Sequence, residues 1–352
     1  MNEYQSFMDI SRARLSNNYD ILRLLAALCI AFTHSFNLLS QNSREPLMLL
    51  SNQQFDFSYI GLCIFFSVSG YLVVKSAVTS INPLNYYWKR FLRIQPLLIL
   101  VTILSIIAVG PIFTTMPLTA YFKDLFTFTY LRNIFPATGI QFILPGVFAN
   151  NKAEAGVNGS LWTLVVEERL YILVSVLCFL KFNSQKYFVF PVIILDIIYI
   201  SQNVILHLSA LHYFAEPHIF YALLFLNAGG FFLMNLDFKK LARPKFFAPM
   251  FLLVILLLVF PSLAVLRVLV IPLFIITLAQ WKGVLNKAGR YGDFTYGLYL
   301  FAFPVQQMLI AGLNGDNPWI LFGQTLLVVT PLAILSWHLV EKRFLKLKGV
   351  LK

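Results

Sequence analysis

The stretch Asn17–Phe36, NNYDILRLLAALCIAFTHSF, decides the class of fold, because it reads as an apolar helix that carries Arg23 and His34. At 100° per residue the interval between them turns by about 1,100°, or three turns plus about 20°. Both side chains therefore lie on one helix face, roughly 16 Å apart along the axis. A charged side chain at the centre of a bilayer costs roughly 2.5–3.5 kcal/mol. The pattern favours a membrane helix with a functional polar face.

A structural reading of the same pair stays open. In it, Arg23 extends its guanidinium to the cytoplasmic headgroups and His34 hydrogen-bonds inside a helix bundle. Composition agrees with a membrane location, since 59% of the residues are hydrophobic and 12% are charged. The net charge of +12 would also suit a nucleic-acid-binding protein. The basic residues alternate between loops, however, which indicates topology and no nucleic-acid partner.

Apolar runs near 20 residues, the length that crosses a hydrocarbon core of ~30 Å as a helix, recur along the chain. The sequence thus predicts an all-α fold, a polytopic membrane bundle of about ten transmembrane helices. The predicted spans are Tyr19–Leu39, Tyr59–Ser76, Ile94–Phe113, Leu161–Leu180, Tyr187–Leu206, Ile219–Leu236, Phe247–Phe260, Ser262–Trp281, Asp293–Leu313 and Trp319–Val340.

The positive-inside rule tests this division, because Lys and Arg concentrate in cytoplasmic loops. With the N-terminus inside, most of the 27 Lys and Arg residues fall on the cytoplasmic side. The sequence therefore predicts cytoplasmic termini, with an N-terminal segment 1–18, a membrane domain 19–341 and a basic tail 342–352. The long segment 112–160 is predicted to lie outside and to cover the outer mouth.

Two candidate catalytic residues follow from this topology. His34 and Glu167 are both predicted in the outer half of the bilayer, where they can meet. An imidazole beside a carboxylate is a general-base arrangement, because the carboxylate fixes the ring tautomer and stabilises its protonated form. Glu168, about 100° away on the helix, is expected to pair with Arg169 or another neighbour. A purely structural polar pair between helices is the alternative.

A second cluster precedes the third span on the opposite, cytoplasmic side. Arg90 and Arg93 share one helix face, and guanidinium groups suit phosphate oxygens. They are candidates for binding a phosphate-bearing donor. The alternative is an interfacial helix whose arginines meet lipid headgroups.

Four motifs lie in register along the chain: Arg23 with His34, Phe65–Tyr71, Arg90–Arg93 and Ser160–Tyr171. Together they make the chain similar to the acyltransferase 3 family of bacterial membrane acyltransferases. The resemblance covers nearly the whole chain as a stand-alone membrane domain. Two departures are Ala302, where the family often has His, and Glu341–Phe344, where a Pro is usual; no ninth-span residue is assigned to catalysis.

This resemblance implies a membrane-bound O-acyltransferase of the bacterial inner membrane. The donor would be an acyl-CoA, most often acetyl-CoA, and the acceptor a hydroxyl of a surface polysaccharide, glycolipid or lipid-linked glycan. His34 and Glu167 would be catalytic, and Arg23, Arg90 and Arg93 would bind the donor. Direct transfer and an acyl-histidine route both remain open.

The competing function is a proton-coupled transporter, which would also use intramembrane Arg, His and Glu residues. The chain lacks the two-half repeat typical of many transporters. His207, His212 and His218 could suggest a metal, but their irregular spacing favours loop positions, so we expect no metal site.

Overall fold

The computed structural model describes residues 17–153, 156–179, 185–206, 216–281, 292–313 and 315–350. Within these ranges the backbone forms helices, turns and two isolated β-bridges, with no extended strand. The all-α prediction is therefore confirmed. The longer helices are α1 (Tyr19–Asn37), α2 (Phe57–Val78), α3 (Pro83–Leu104), α4 (Leu161–Phe179), α5 (Gln185–Ser201), α6 (Pro217–Leu233), α7 (Pro244–Val259), α8 (Arg267–Gln280), α9 (Thr295–Leu313) and α10 (Pro318–Ser336).

Seven helical stretches of the described residues are long and apolar enough to cross a bilayer. The other three predicted spans are helical too, but α4 carries three charged residues and α6 and α7 have only 17 and 16 residues. The chain is thus a multi-pass membrane protein. The count of about ten spans and the cytoplasmic location of both termini stay predictions. Residues 1–16 of the predicted N-terminal segment lie outside the described ranges.

Pro261 separates α7 from α8, which the sequence predicts as two separate spans. Helix α7 ends at Val259, and Pro261 opens a 3₁₀ helix that continues to Leu266, where α8 follows. A proline cannot donate the backbone hydrogen bond that would continue α7. The two helices pack against each other as separate elements.

The chain divides into two compact units. The first consists of Met1–Ala26, Gly61–Tyr86 and Ile172–Gly292, and it contains α5 to α8. In this unit Asn227 donates one side-chain N–H to Asp196 at 3.0 Å. Both side chains are buried, so the hydrogen bond stabilises polar groups within an otherwise apolar helix bundle.

The second unit consists of Ala27–Ile60, Tyr87–Tyr171 and Asp293–Lys352. Its helices α9 and α10 pack along each other. Helix α3 continues through a π-helical turn to Phe113, and short helices follow from Leu118. The predicted outer segment therefore packs against the end of α3 through one apolar cluster: Ile106, Tyr121, Tyr130, Leu144, Val147, Phe148 and Val157.

Candidate active site

His34 lies near the end of α1, and its imidazole packs against a phenyl ring of α9. The ring centroids of His34 and Phe303 are 5.1 Å apart, with the rings nearly perpendicular. The neighbouring Thr33 donates its hydroxyl to the carboxylate of Glu45 at 3.3 Å and accepts the backbone N–H of Ser58 at 2.8 Å. The backbone that carries the imidazole is therefore anchored to the segment that follows α1.

Glu45 is a buried residue of this region that the sequence analysis did not single out. Its carboxylate accepts the backbone N–H groups of Leu47, Met48 and Phe57 at 2.8 to 2.9 Å. A buried carboxylate requires such donors, and here they hold the loop in place. The local signal was an acidic residue before Pro46, because oxygen-bearing N-cap residues and a proline at the first helical position mark helix starts.

The two adjacent carboxylates of α4 have different partners. Glu167 accepts the hydroxyl of Tyr171, one turn along the same helix. Glu168 accepts the backbone N–H of Ala137 at 2.9 Å and the side-chain amide of Gln95. Both carboxylates are buried. Glu168 therefore pairs with neighbours on α3 and the loop before α4, whereas the contact predicted between Glu167 and His34 stays a prediction.

A small pocket joins α4 to the basic segment of α3. The guanidinium carbon of Arg90 lies 5.8 Å from the ring centroid of Tyr171. Tyr171 thus borders the pocket with its ring while its hydroxyl holds Glu167. The pocket is lined by Tyr87, Arg90, Phe91, Ile94, Gln95, Glu168 and Tyr171.

This pocket places Arg90 close to the α4 carboxylates, which the sequence analysis had assigned to the opposite side of the membrane. The physical reason is the length of the third helical stretch, Pro83–Phe113, which has 31 residues. Its hydrophobic core begins near Ile94, but the helix itself begins eleven residues earlier. A depth estimate based on apolar character alone therefore placed Arg90 and the α4 carboxylates on opposite sides of the membrane. The packing of α3 on α4 brings them close together.

Arg93 lies one turn from Arg90 but meets different surroundings. Its guanidinium forms ion pairs with Asp293 at 2.8 Å and Glu341 at 3.4 Å. It also lies 5.8 Å from the ring centroid of Tyr296. Both carboxylates are buried. Arg93 therefore links α3 to the start of α9 and to the C-terminal segment, and its predicted role in donor binding stays a prediction.

Arg23 belongs to the first unit, whereas His34, Glu167 and Arg90 belong to the second. The predicted contact of Arg23 with the donor stays a prediction. No group of three or more His, Cys, Asp or Glu side chains in the described residues is placed to hold a metal ion. His207 and His212 lie outside the described ranges.

Comparison with known proteins gives a family and two relatives. The acyltransferase 3 family model, described as an acyltransferase domain, matches residues 16–338. The chain is similar to an O-acetyl transferase of Shigella phage Sf6, with 29% identity over 345 residues that cover 94% of this chain and 96% of the relative. It is also similar to nodulation protein 10 of Rhizobium leguminosarum bv. viciae, with 33% identity over 168 residues, 46% of this chain and 44% of that one. No solved structure matches the chain significantly.

Proposed function

Since the chain belongs to the acyltransferase 3 family, we propose that it transfers an acetyl group from acetyl-CoA to a hydroxyl of a surface or lipid-linked polysaccharide. The family makes the chain an acyltransferase and favours that function over the transporter considered above. The phage relative, similar along nearly its whole length, supports an oxygen acceptor and an acetyl group. We place the enzyme in the bacterial inner membrane, where a cytosolic donor and an exported glycan can both reach it.

The observation that carries the proposal is the pocket between α3 and α4. One wall offers the guanidinium of Arg90, a group that binds phosphate oxygens through charge-assisted hydrogen bonds. The lining also includes Tyr171, whose hydroxyl donates to Glu167. A phosphate-bearing donor held by Arg90 would therefore lie beside the helix that carries the proposed catalytic carboxylate.

In the proposed chemistry, His34 accepts the proton of the acceptor hydroxyl as its oxygen attacks the thioester carbonyl. A carbon–oxygen bond forms, the carbon–sulfur bond breaks, and coenzyme A leaves as the thiol after it receives that proton. Glu167 would stabilise the imidazolium formed in this step. In the alternative route His34 itself takes the acyl group before passing it to the acceptor. Arg23 is proposed as a further donor contact, whereas Arg93, which is paired with Asp293 and Glu341, is proposed to hold α3 against the start of α9.

The test is transfer of label by the protein reconstituted in proteoliposomes. The donor is acetyl-CoA labelled in its acetyl group, and the acceptor is surface polysaccharide extracted from cells that lack this chain. We expect label to enter the polysaccharide and to be released by mild alkali, because the new bond is an ester. Proteoliposomes without protein are the control. An absence of label in the polysaccharide, with protein inserted and folded, would overturn the proposed acceptor.

A further inference from the structure

One face of α9 borders the environment of His34. Tyr299, Phe303 and Gln306 are spaced by four and three residues, so their side chains lie along one side of the helix. The Phe303 ring in the middle contacts the imidazole of His34. It also lies against Gly159, where an added Cβ would come within 2.5 Å of the ring. This α9 face therefore contacts both α1 and the residues that precede α4.

Gln306 is fully buried, and its side chain meets α1. Its amide N–H donates to the backbone carbonyl of Ala31 at 2.8 Å. Because that carbonyl can only accept, the amide nitrogen must face it and the amide oxygen must point elsewhere. Ala31 lies one turn before His34, and helical side chains lean towards the preceding turn. The Gln306 amide and the imidazole thus occupy neighbouring positions.

The amide oxygen of Gln306 has no hydrogen-bond partner among the described residues, although it is fully buried. The hydroxyl of Ser160 is in the same condition, with 2% of the residue exposed. The backbone of Ser160 is held by Asn158, whose side chain accepts its N–H at 3.1 Å, and by Tyr299, which donates to its carbonyl at 2.8 Å. The backbone of Ser160 is therefore held in place, whereas its hydroxyl makes no hydrogen bond with the described residues.

Buried polar groups in folded proteins nearly always have partners, so the unpartnered oxygens of Gln306, beside α1, and of Ser160, whose carbonyl Tyr299 holds, need a cause. The adjacent Gln307 shows the usual arrangement. It is equally buried, yet its amide donates to the Gly156 carbonyl at 2.8 Å and accepts from Asn151 at 2.7 Å. The two neighbouring glutamines thus differ, because the Gln306 oxygen lacks the kind of partner that the Gln307 side chain has within the protein.

We propose that the amide oxygen of Gln306 and the hydroxyl of Ser160 bind hydroxyl groups of the carbohydrate acceptor beside His34. This inference rests on the proposed function, because it identifies the acceptor subsite of the same reaction. A sugar hydroxyl can donate to the amide oxygen and can either donate to or accept from the serine hydroxyl. Gln306 and Ser160 are thus positioning residues, which hold the acceptor without taking part in proton transfer.

The test compares Gln306→Met and Ser160→Ala with the control Gln307→Met. The reconstituted protein is assayed with saturating labelled acetyl-CoA and increasing amounts of surface polysaccharide from cells that lack this chain. We expect each of the first two variants to raise the KM for the polysaccharide by about three- to tenfold, the effect of one lost hydrogen bond. The KM for acetyl-CoA should be unchanged.

The control separates acceptor binding from a structural role. Gln307→Met removes two intramolecular hydrogen bonds, so it should lower the thermal midpoint of the protein while leaving the KM for the polysaccharide near wild type. If Gln306→Met does not fold, Ser160→Ala decides the matter alone, because it removes only one oxygen. An unchanged polysaccharide KM in the folded variants would overturn this inference and leave ordered water as the partner. Failure of the wild-type protein to label the polysaccharide would instead overturn the proposed function, and the inference with it.

Discussion

At the scale of single residues, Arg90 and Arg93 have different surroundings although both belong to α3. They lie one turn apart on α3, and the sequence treated them as equivalent phosphate ligands. In the structure Arg90 lines a pocket, whereas Arg93 is paired with two buried carboxylates. Their substitution should therefore change different properties of the protein.

Replacing Arg90 by Ala should raise the KM for acetyl-CoA about tenfold or more, because a charge-assisted contact with phosphate contributes roughly 1.5–3 kcal/mol. Replacing Arg93 by Ala should lower stability instead. It would leave Asp293 and Glu341 buried without their cation, which costs about 3 kcal/mol. Donor titrations and thermal unfolding in detergent measure the two effects. A rise in donor KM for Arg93→Ala alone would reverse the two roles.

The chemistry at His34 gives a second prediction. His34→Ala should reduce acetyl transfer by roughly 10²–10⁴-fold, because it deletes the proposed proton-transfer group. Glu167→Gln should also be severe, and the double variant should be little worse than His34→Ala, since residues that act as a unit are not additive. Initial rates at saturating substrates measure these effects.

His338→Ala is the matched control, because His338 is exposed and lies elsewhere in the second unit. It should leave the transfer rate near wild type. Glu168→Gln should be milder than Glu167→Gln, since the new amide oxygen can still accept the N–H of Ala137. Transfer near the wild-type rate in a folded His34→Ala protein would contradict the catalytic role. Equal losses at both glutamates would indicate a shared carboxylate pair.

At the scale of elements, α2 and α6 pack closely through glycine. A Cβ built on Gly70 would lie 2.0 Å from the backbone oxygen of Phe225, and one on Gly229 would lie 2.5 Å from a methyl of Val74. Helices in membranes approach closely at such small residues, because van der Waals packing drives their association. The close packing of α2 on α6 in the first unit therefore requires glycine at position 70, which belongs to the motif Phe65–Tyr71.

Gly70→Ala should destabilise the protein by at least about 3 kcal/mol, the upper range for overpacking, because a backbone oxygen cannot rotate away from the new methyl group. Gly230→Ala is the matched control, since its Cβ would meet only a methyl of Val189 at 3.7 Å, an ordinary contact. Thermal midpoints and the yield of folded protein in detergent measure the difference. Equal stability of the two variants would contradict the close approach.

At the scale of the whole molecule, the distribution of Lys and Arg predicts which side each loop occupies. A reporter fused after Lys352 should be cytoplasmic, and one inserted near Asn150 should be on the outer side. Accessibility to a membrane-impermeant thiol reagent, with cysteines introduced at the same two positions, provides an independent measurement. An external C-terminus would require an odd number of spans and would change the count of about ten.

The sequence by itself determined the all-helical membrane class, the approximate positions of most apolar helices and the resemblance to the family. These features depend on apolar length, proline positions and short motifs, which are properties of neighbouring residues. It also identified Glu167, Arg90 and His34 as polar residues that need an explanation. It could not assign them partners, because a polar residue in an apolar helix has the same local signature whether it is catalytic or structural.

Only the tertiary structure decided those partners. Arg93 meets carboxylates that lie 200 and 248 residues away in the chain. Gln306 meets the helix of His34 across 275 residues, and Glu168 meets Gln95 across 73. No local pattern encodes such pairs, since they form when packing excludes water and each buried polar group must take the donor or acceptor that the neighbouring helix presents. Helix formation thus depends on adjacent residues, whereas the partner of each buried polar or charged group depends on which helix packs beside it.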